Sequence, residues 1–224
     1  MTTISSNLQD VRQRILDACV AARRPAGAVS LLAVSKTWPA TAVREAALAG
    51  QRSFGESYVQ EAVPKIAELA DLGLEWHFIG PLQSNKTRLV AEHFAWVHSV
   101  ERLKIAERLS AQRPESLPAL QICLQVNVSG EASKSGCAPE EVATLAQQVR
   151  QLPRLQLRGL MAIPEPTDDP DLQRQRFATL RNLAASLGLE TLSMGMSHDL
   201  EAAIMEGSTM VRIGTAIFGE RDYT

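Results

Sequence analysis

Ala28-Val-Ser-Leu-Leu-Ala-Val-Ser-Lys36-Thr37-Trp38-Pro39 reads as a short apolar strand that ends at a lysine and runs straight into a helix start. The fixed φ of Pro39 suits the first helical turn, and a second apolar run, Gln51 to Gly55, follows the helix. The same unit recurs down the chain. Strands are predicted at Ala28 to Val34, Gln51 to Gly55, Leu74 to Ile79, Trp96 to Val100, Leu120 to Val128, Leu155 to Ile163, Thr191 to Met196 and Thr209 to Ile213. Seven helical patterns fill the gaps. Ser57 with Gln60 predicts a capping box, Pro81 and Pro139 predict first-turn prolines, and Ser197 predicts an N-cap. Ahead of the first strand, Ile4, Leu8, Val11 and Ile15 predict an amphipathic helix that runs to about Ala22 and breaks at Arg24-Pro25.

Alternating strands and helices with short connections imply parallel strands joined by right-handed crossovers. A doubly wound sheet has five or six strands, whereas eight match a (β/α)8 TIM-type barrel. The expected architecture is therefore one α/β barrel domain over residues 1–224, with an additional N-terminal helix. Shared among eight units, 224 residues leave 28 each, so the barrel uses the whole chain.

With 23 basic against 25 acidic residues and ten aromatics in all, the chain has neither a basic field nor much base-stacking surface, which argues against nucleic acid as a partner. No stretch approaches the ~18 apolar residues of a membrane span. Cys19, Cys123 and Cys137 show no metal-ligand or paired spacing, consistent with reduced thiols and a cytoplasmic setting. His77, His93, His98 and His198 also lack ligand spacing. Gly130-Glu-Ala-Ser-Lys134 lacks the glycine that a nucleotide phosphate loop places before its lysine. A monomer is expected. Pro164 to Pro170 is a long loop signal that reads either as a lid over the strand ends or as a solvated turn.

Three features can carry chemistry. Lys36 stands at a strand end, the functional address of a barrel, and a lysine there is either solvated or a Schiff-base former for a carbonyl compound. In the last strand, Arg212 and Gly214 share a face opposite Val211 and Ile213, so the arginine points into the barrel if the aliphatics point outward. Gly214, Thr215 and Ala216 offer backbone N–H groups to a phosphate, as does a helix start at Ser197. Anion donors after strands seven and eight are where barrels commonly seat a phosphate. A phosphate-bearing carbonyl compound follows, either pyridoxal 5'-phosphate (PLP) or a sugar phosphate in a Schiff-base aldolase.

Ala33-Val-Ser-Lys-Thr37, Phe54-Gly-Glu-Ser-Tyr-Val-Gln-Glu61, Trp76-His-Phe-Ile-Gly-Pro-Leu-Gln-Ser-Asn-Lys86, Gly159-Leu-Met161, Leu192-Ser-Met-Gly-Met-Ser197 and Val211-Arg-Ile-Gly-Thr-Ala-Ile-Phe-Gly219 resemble the pyridoxal phosphate homeostasis protein family. The resemblance spans nearly the whole chain. It implies the barrel of alanine racemase, PLP held as an aldimine on Lys36, and a role in storing, buffering or delivering PLP, with apo-enzymes as recipients. It also implies phosphate contacts from Ser197, Gly214 and Thr215, and Arg212 facing the pyridine nitrogen, which disfavours carbanion chemistry. Met196, inside a matching motif, is a further cofactor-binding candidate, and His77 either reaches the barrel top through its strand as another or is a packed core histidine. Ser57 stands where the family usually has asparagine, so that contact is shortened. The family also suggests a secondary contact near Lys134. A PLP-dependent racemase-like enzyme is the alternative, but Tyr58 and Tyr223 are the only tyrosines available as a second base, and no residues remain for a partner domain.

Overall fold

A computed structural model describes residues 3–130 and 135–220. Eight parallel strands close into a barrel in chain order: β1 (Ser30–Val34), β2 (Ser53–Glu56), β3 (Glu75–Phe78), β4 (Trp96–Val100), β5 (Leu120–Gln125), β6 (Leu155–Met161), β7 (Thr191–Ser193) and β8 (Met210–Ile213). β8 closes on β1, with Leu31 beside Val211, Leu32 beside Arg212 and Ala33 beside Ile213. The expected (β/α)8 barrel is what forms.

The helices of the ring are α2 (Ala40–Leu48), α3 (Val59–Glu68), α4 (Thr87–His93), α5 (Leu103–Gln112), α6 (Val142–Arg150), α7 (Pro170–Ser186), α8 (Leu200–Met205) and α9 (Thr215–Phe218). The leading helix α1 (Ile4–Ala21) starts at Thr3, whose hydroxyl accepts the Ser6 amide, and buries Leu8, Val11, Ile15, Ala18 and Cys19 as one stripe. It also reaches the end of the chain. Asn7 Nδ2 donates to the Ile217 carbonyl, Arg24 Nη1 donates to the Ile204 and Ser208 carbonyls, and Arg14 bonds Glu201 and the Ser197 carbonyl. Val211 and Ile213 belong to the apolar layer between barrel and helices, as the alternation along β8 predicts.

Several expected boundaries move. β5, β6 and β7 stop two to three residues early, at Gln125, Met161 and Ser193, because the backbone leaves the sheet to build loops over the barrel mouth. Gly195 turns the chain after β7 with φ +96°, and a Cβ there would lie 2.7 Å from that of Ala203. The Ser57–Gln60 capping box does not form: α3 is capped at Tyr58 without a side-chain bond, since Ser57 is packed against Gly80, where a Cβ would come within 2.3 Å of the Ser57 carbonyl oxygen. Pro81 precedes a turn at 84–86 and not a helix, whereas Pro39 is the N-cap of α2 and Pro139 leads a single 3-10 turn before α6. Ser197 is not an N-cap either; Asp199 takes that place for α8 and accepts the Met196 amide through Oδ1.

Among the described residues no helix is long and apolar enough to cross a membrane, and no cluster of side chains suits a metal ion. Cys19, Cys123 and Cys137 are buried and unpaired, and burial pushes the Cys123 thiol up to about 12. Lys134, Tyr223 and the rest of Arg221 to Thr224 lie outside the described residues.

Candidate functional site

At the C-terminal ends of the strands a cavity of about 260 Å³ opens among the loops. Seven of the eight candidate residues line it: Lys36 after β1, Ser57 after β2, Met196 and Ser197 after β7, Arg212 in β8, and Gly214 and Thr215 directly after it. They come from opposite ends of the sequence and meet because β1 and β8 are neighbours. Apolar walls come from Val34, Ile79 and Ile163, and His198 completes the lining.

Lys36 follows a buried bracket. The Ser35 hydroxyl donates to Glu56 Oε1 (2.7 Å), and Lys65 Nζ donates both to that oxygen (2.7 Å) and to the Ser35 carbonyl (3.0 Å). Burial pushes the Glu56 carboxyl up, against the pull of Lys65. Thr37, at φ +70°, gives its amide to Glu61 Oε2. Lys36 is thus held between a closed ion pair and a strained, anchored residue.

Arg212 points inward, as the β8 alternation predicts, and is buried. Its acceptors are the Ser193 carbonyl (2.5 Å), the Ser193 hydroxyl (2.8 Å) and the Ala162 carbonyl (2.9 Å). All are neutral. Burial lowers the guanidinium to about 10, with Asp199 and Cys123 pulling the other way, so it stays charged at neutral pH. Burial likewise pushes the Asp199 carboxyl up.

Ser197 enters the cavity wall by another route than helix capping. Arg14 Nη1 donates to its carbonyl (2.8 Å), and the same guanidinium pairs with Glu201. Gly214 precedes α9, whose leading N–H groups have no carbonyl within the helix to bond. The arrangement offers an amine, a set of backbone and hydroxyl donors suited to an anion, and a buried cation in one cavity.

His77 is the candidate that the cavity leaves out. It is fully buried inside the barrel, bonded to His98 and Glu75 and stacked on Trp96 at 5.3 Å. Sequence reasoning missed Ser193, which holds Arg212, and Glu56 and Lys65, which brace the segment before Lys36. The inward alternation of β7 was the signal for the first, and the Phe54-Gly-Glu56 strand end for the second.

A second cleft of about 270 Å³ adjoins the first, sharing Ile79, Ile163 and Met196, and is walled by Pro164 and Pro166. The 164–170 loop therefore borders the barrel mouth. Glu165 anchors it, its amide donating to Ser129 Oγ and its carboxylate pairing with Arg176.

The family model for the alanine racemase N-terminal domain matches residues 4–222. The chain is 67% identical to the pyridoxal phosphate homeostasis protein of Pseudomonas aeruginosa, over 100% of this chain and 98% of the relative. It is 54% identical to that of Escherichia coli K12, over 100% and 99%. Among solved structures it is similar to PipY of Synechococcus elongatus with PLP bound, at 41% identity and TM-score 0.84, covering 97% of this chain and 100% of that one. Alanine racemase from Corynebacterium glutamicum shares the fold at 15% identity and TM-score 0.69, over 99% of this chain and 61% of the racemase. The chain belongs to the alanine racemase N-terminal domain family and, within it, to the pyridoxal phosphate homeostasis proteins.

Proposed function

We propose that this chain binds PLP through a Schiff base on Lys36 and stores, buffers or hands on the cofactor in the cytoplasm, without turning over an amino-acid substrate. The observation that carries the reading is the meeting, in one cavity, of Lys36 with Ser197, Gly214 and Thr215 and with Arg212. The names of the relatives and the PLP bound in PipY support it. When bound, the cofactor supplies an aldehyde that condenses with the lysine amine and releases water.

The chain's own residues divide the remaining work. Ser197, Gly214 and Thr215 hold the phosphate, at the strand-seven and strand-eight position usual for barrels. Arg212, charged and locked to three neutral oxygens, donates to the pyridine nitrogen and keeps its own protons, so that nitrogen stays unprotonated. Ser57 and Met196 flank the ring. A site built this way retains the cofactor and makes it a poor electron sink. The recipients are apo-enzymes that need PLP, and the acting species is a monomer.

Incubation with PLP should give a yellow protein, and borohydride should fix the cofactor mass on the Lys36 peptide but not in Lys36→Ala. A colourless, unmodified wild-type protein would overturn the proposal. Lys36-dependent incorporation of solvent deuterium at the α-carbon of amino acids would overturn its non-catalytic half and favour a racemase-like enzyme.

A further inference from the structure

A single file of hydrogen bonds runs through the barrel interior from the cavity to the opposite end. Arg212 Nη1 lies 2.8 Å from Ser193 Oγ, Ser193 Oγ lies 2.8 Å from His98 Nδ1, His98 Nε2 lies 2.9 Å from His77 Nδ1, and His77 Nε2 lies 2.8 Å from Glu75 Oε1. The first four residues are buried, and Glu75 emerges half-exposed at the N-terminal end of β3. Nothing in cofactor binding requires these strands to carry two histidines in contact.

The donors and acceptors permit one continuous arrangement. A guanidinium only donates, so Ser193 Oγ accepts from Arg212 and passes its own hydrogen to His98 Nδ1. His98 is then neutral with its proton on Nε2, which it donates to His77 Nδ1. His77 is neutral in the same tautomer and donates from Nε2 to the Glu75 carboxylate. Every bond points the same way, from fixed cation to anion, and such chains polarise one another.

The surroundings favour this state. Burial pushes His98 far below the ordinary histidine value, and the neighbouring His77 and Arg212 push in the same direction. Burial lowers His77 against the pull of Glu75. Glu75 is held low by its bond to His77, with Ser53 and Trp96 also donating to it. The other charged or titratable groups acting on the file are Asp199 and Cys123 at Arg212, and Arg158 at Cys123.

We infer that Ser193 and His98 are positioning residues for Arg212, and that the file as a whole sets the direction of its donors and ties its electrostatic state to Glu75 across the barrel. This rests on the reading that Arg212 meets the ring of PLP. Without Ser193 Oγ the guanidinium keeps its two carbonyl acceptors but loses the third, and without His98 the Ser193 hydroxyl loses the acceptor that turns its lone pairs towards Arg212; in either case the ring contact changes.

Two measurements test the inference. In cofactor-free protein, nitrogen NMR of the histidine rings should show bare Nδ1 and protonated Nε2 for both His77 and His98; a proton on His98 Nδ1 would overturn the polarity. In PLP-loaded protein, Ser193→Ala and His98→Phe should each move the pH midpoint of the cofactor's visible band by about 0.5 unit or more, roughly threefold in the proton equilibrium. His98→Gln, whose amide accepts and donates along the same line, should return it towards wild type. An unmoved midpoint in folded, loaded Ser193→Ala protein overturns the inference, whatever the fate of His98→Phe. Failure of wild-type protein to form a coloured, borohydride-trappable complex would instead overturn the functional reading, leaving the NMR result to judge the file.

Discussion

Lys65 and Glu56 are paired at 2.7 Å with both side chains buried; Glu56 directly precedes Ser57, and Lys65 also holds the carbonyl of Ser35, which precedes Lys36, so the pair braces two residues that line the cavity. Glu56 Oε1 takes the Lys65 ammonium and the Ser35 hydroxyl, while Oε2 is buried with no hydrogen bond. A charge in that position is tolerable only with its partner present. Lys65→Met should therefore cost about 3–5 kcal/mol by leaving an uncompensated buried carboxylate. Adding Glu56→Gln should recover a large part of the loss, and the denaturation midpoints of the single and double variants check it.

The buried histidines predict an acid limb to stability. His77 and His98 are both held below their ordinary value, so the unfolded chain binds protons that the folded one refuses. Their contribution is fully present above about pH 6.5 and is lost as pH falls from there towards the folded values. The slope should approach about 1.4 kcal/mol per pH unit for each histidine. Denaturant titrations between pH 7 and pH 5 measure it, and His98→Phe should flatten the curve.

Arg14 connects the leading helix to the cavity wall. Its guanidinium holds the Ser197 carbonyl while pairing with Glu201, and both side chains are partly solvated, so the pair itself contributes little to stability. Arg14→Ala should instead loosen the 195–199 turn and weaken PLP binding by about 1 kcal/mol, roughly fivefold in Kd. Equilibrium titration of the visible band checks this against a nearly unchanged melting temperature.

Gly195 and Gly188 separate backbone strain from crowding. Both have positive φ, +96° and +62°, but a Cβ on Gly188 meets nothing within 4 Å whereas one on Gly195 meets Ala203 at 2.7 Å. Gly188→Ala should cost about 1 kcal/mol. Gly195→Ala should cost about 3 kcal/mol, combining strain with overpacking, and should also reduce PLP affinity, since Met196 and Ser197 follow directly. Calorimetry and cofactor titration of both variants distinguish the two effects.

The barrel was legible because runs such as Leu31 to Val34 and Ile122 to Leu124 are apolar on both faces, as parallel strands covered by helices must be. Lys36 and Arg212 were legible from strand position and side-chain alternation. The loops over the mouth were less so. Continued apolar sequence at Val126, Ala162 and Met194 hides where the chain leaves the sheet, and Ser197 competes for the cap with Asp199, a short carboxylate two residues closer to the helix. The interior file was hidden for another reason: its members come from β3, β4, β7 and β8, and only the stagger of the closed barrel decides which inward residues share a level.

The pairing of β1 with β8 also fixes when the site can exist. Lys36 is made early and Thr215 close to the end of the described chain, and they face the same cavity only after the last strand has zipped onto the first. A nascent polypeptide halted on the ribosome before β8 therefore has Lys36 without Arg212, Gly214 or Thr215. On the proposed reading such fragments lack the groups that retain PLP, so cofactor should be withdrawn from the free pool only in proportion to closed barrels.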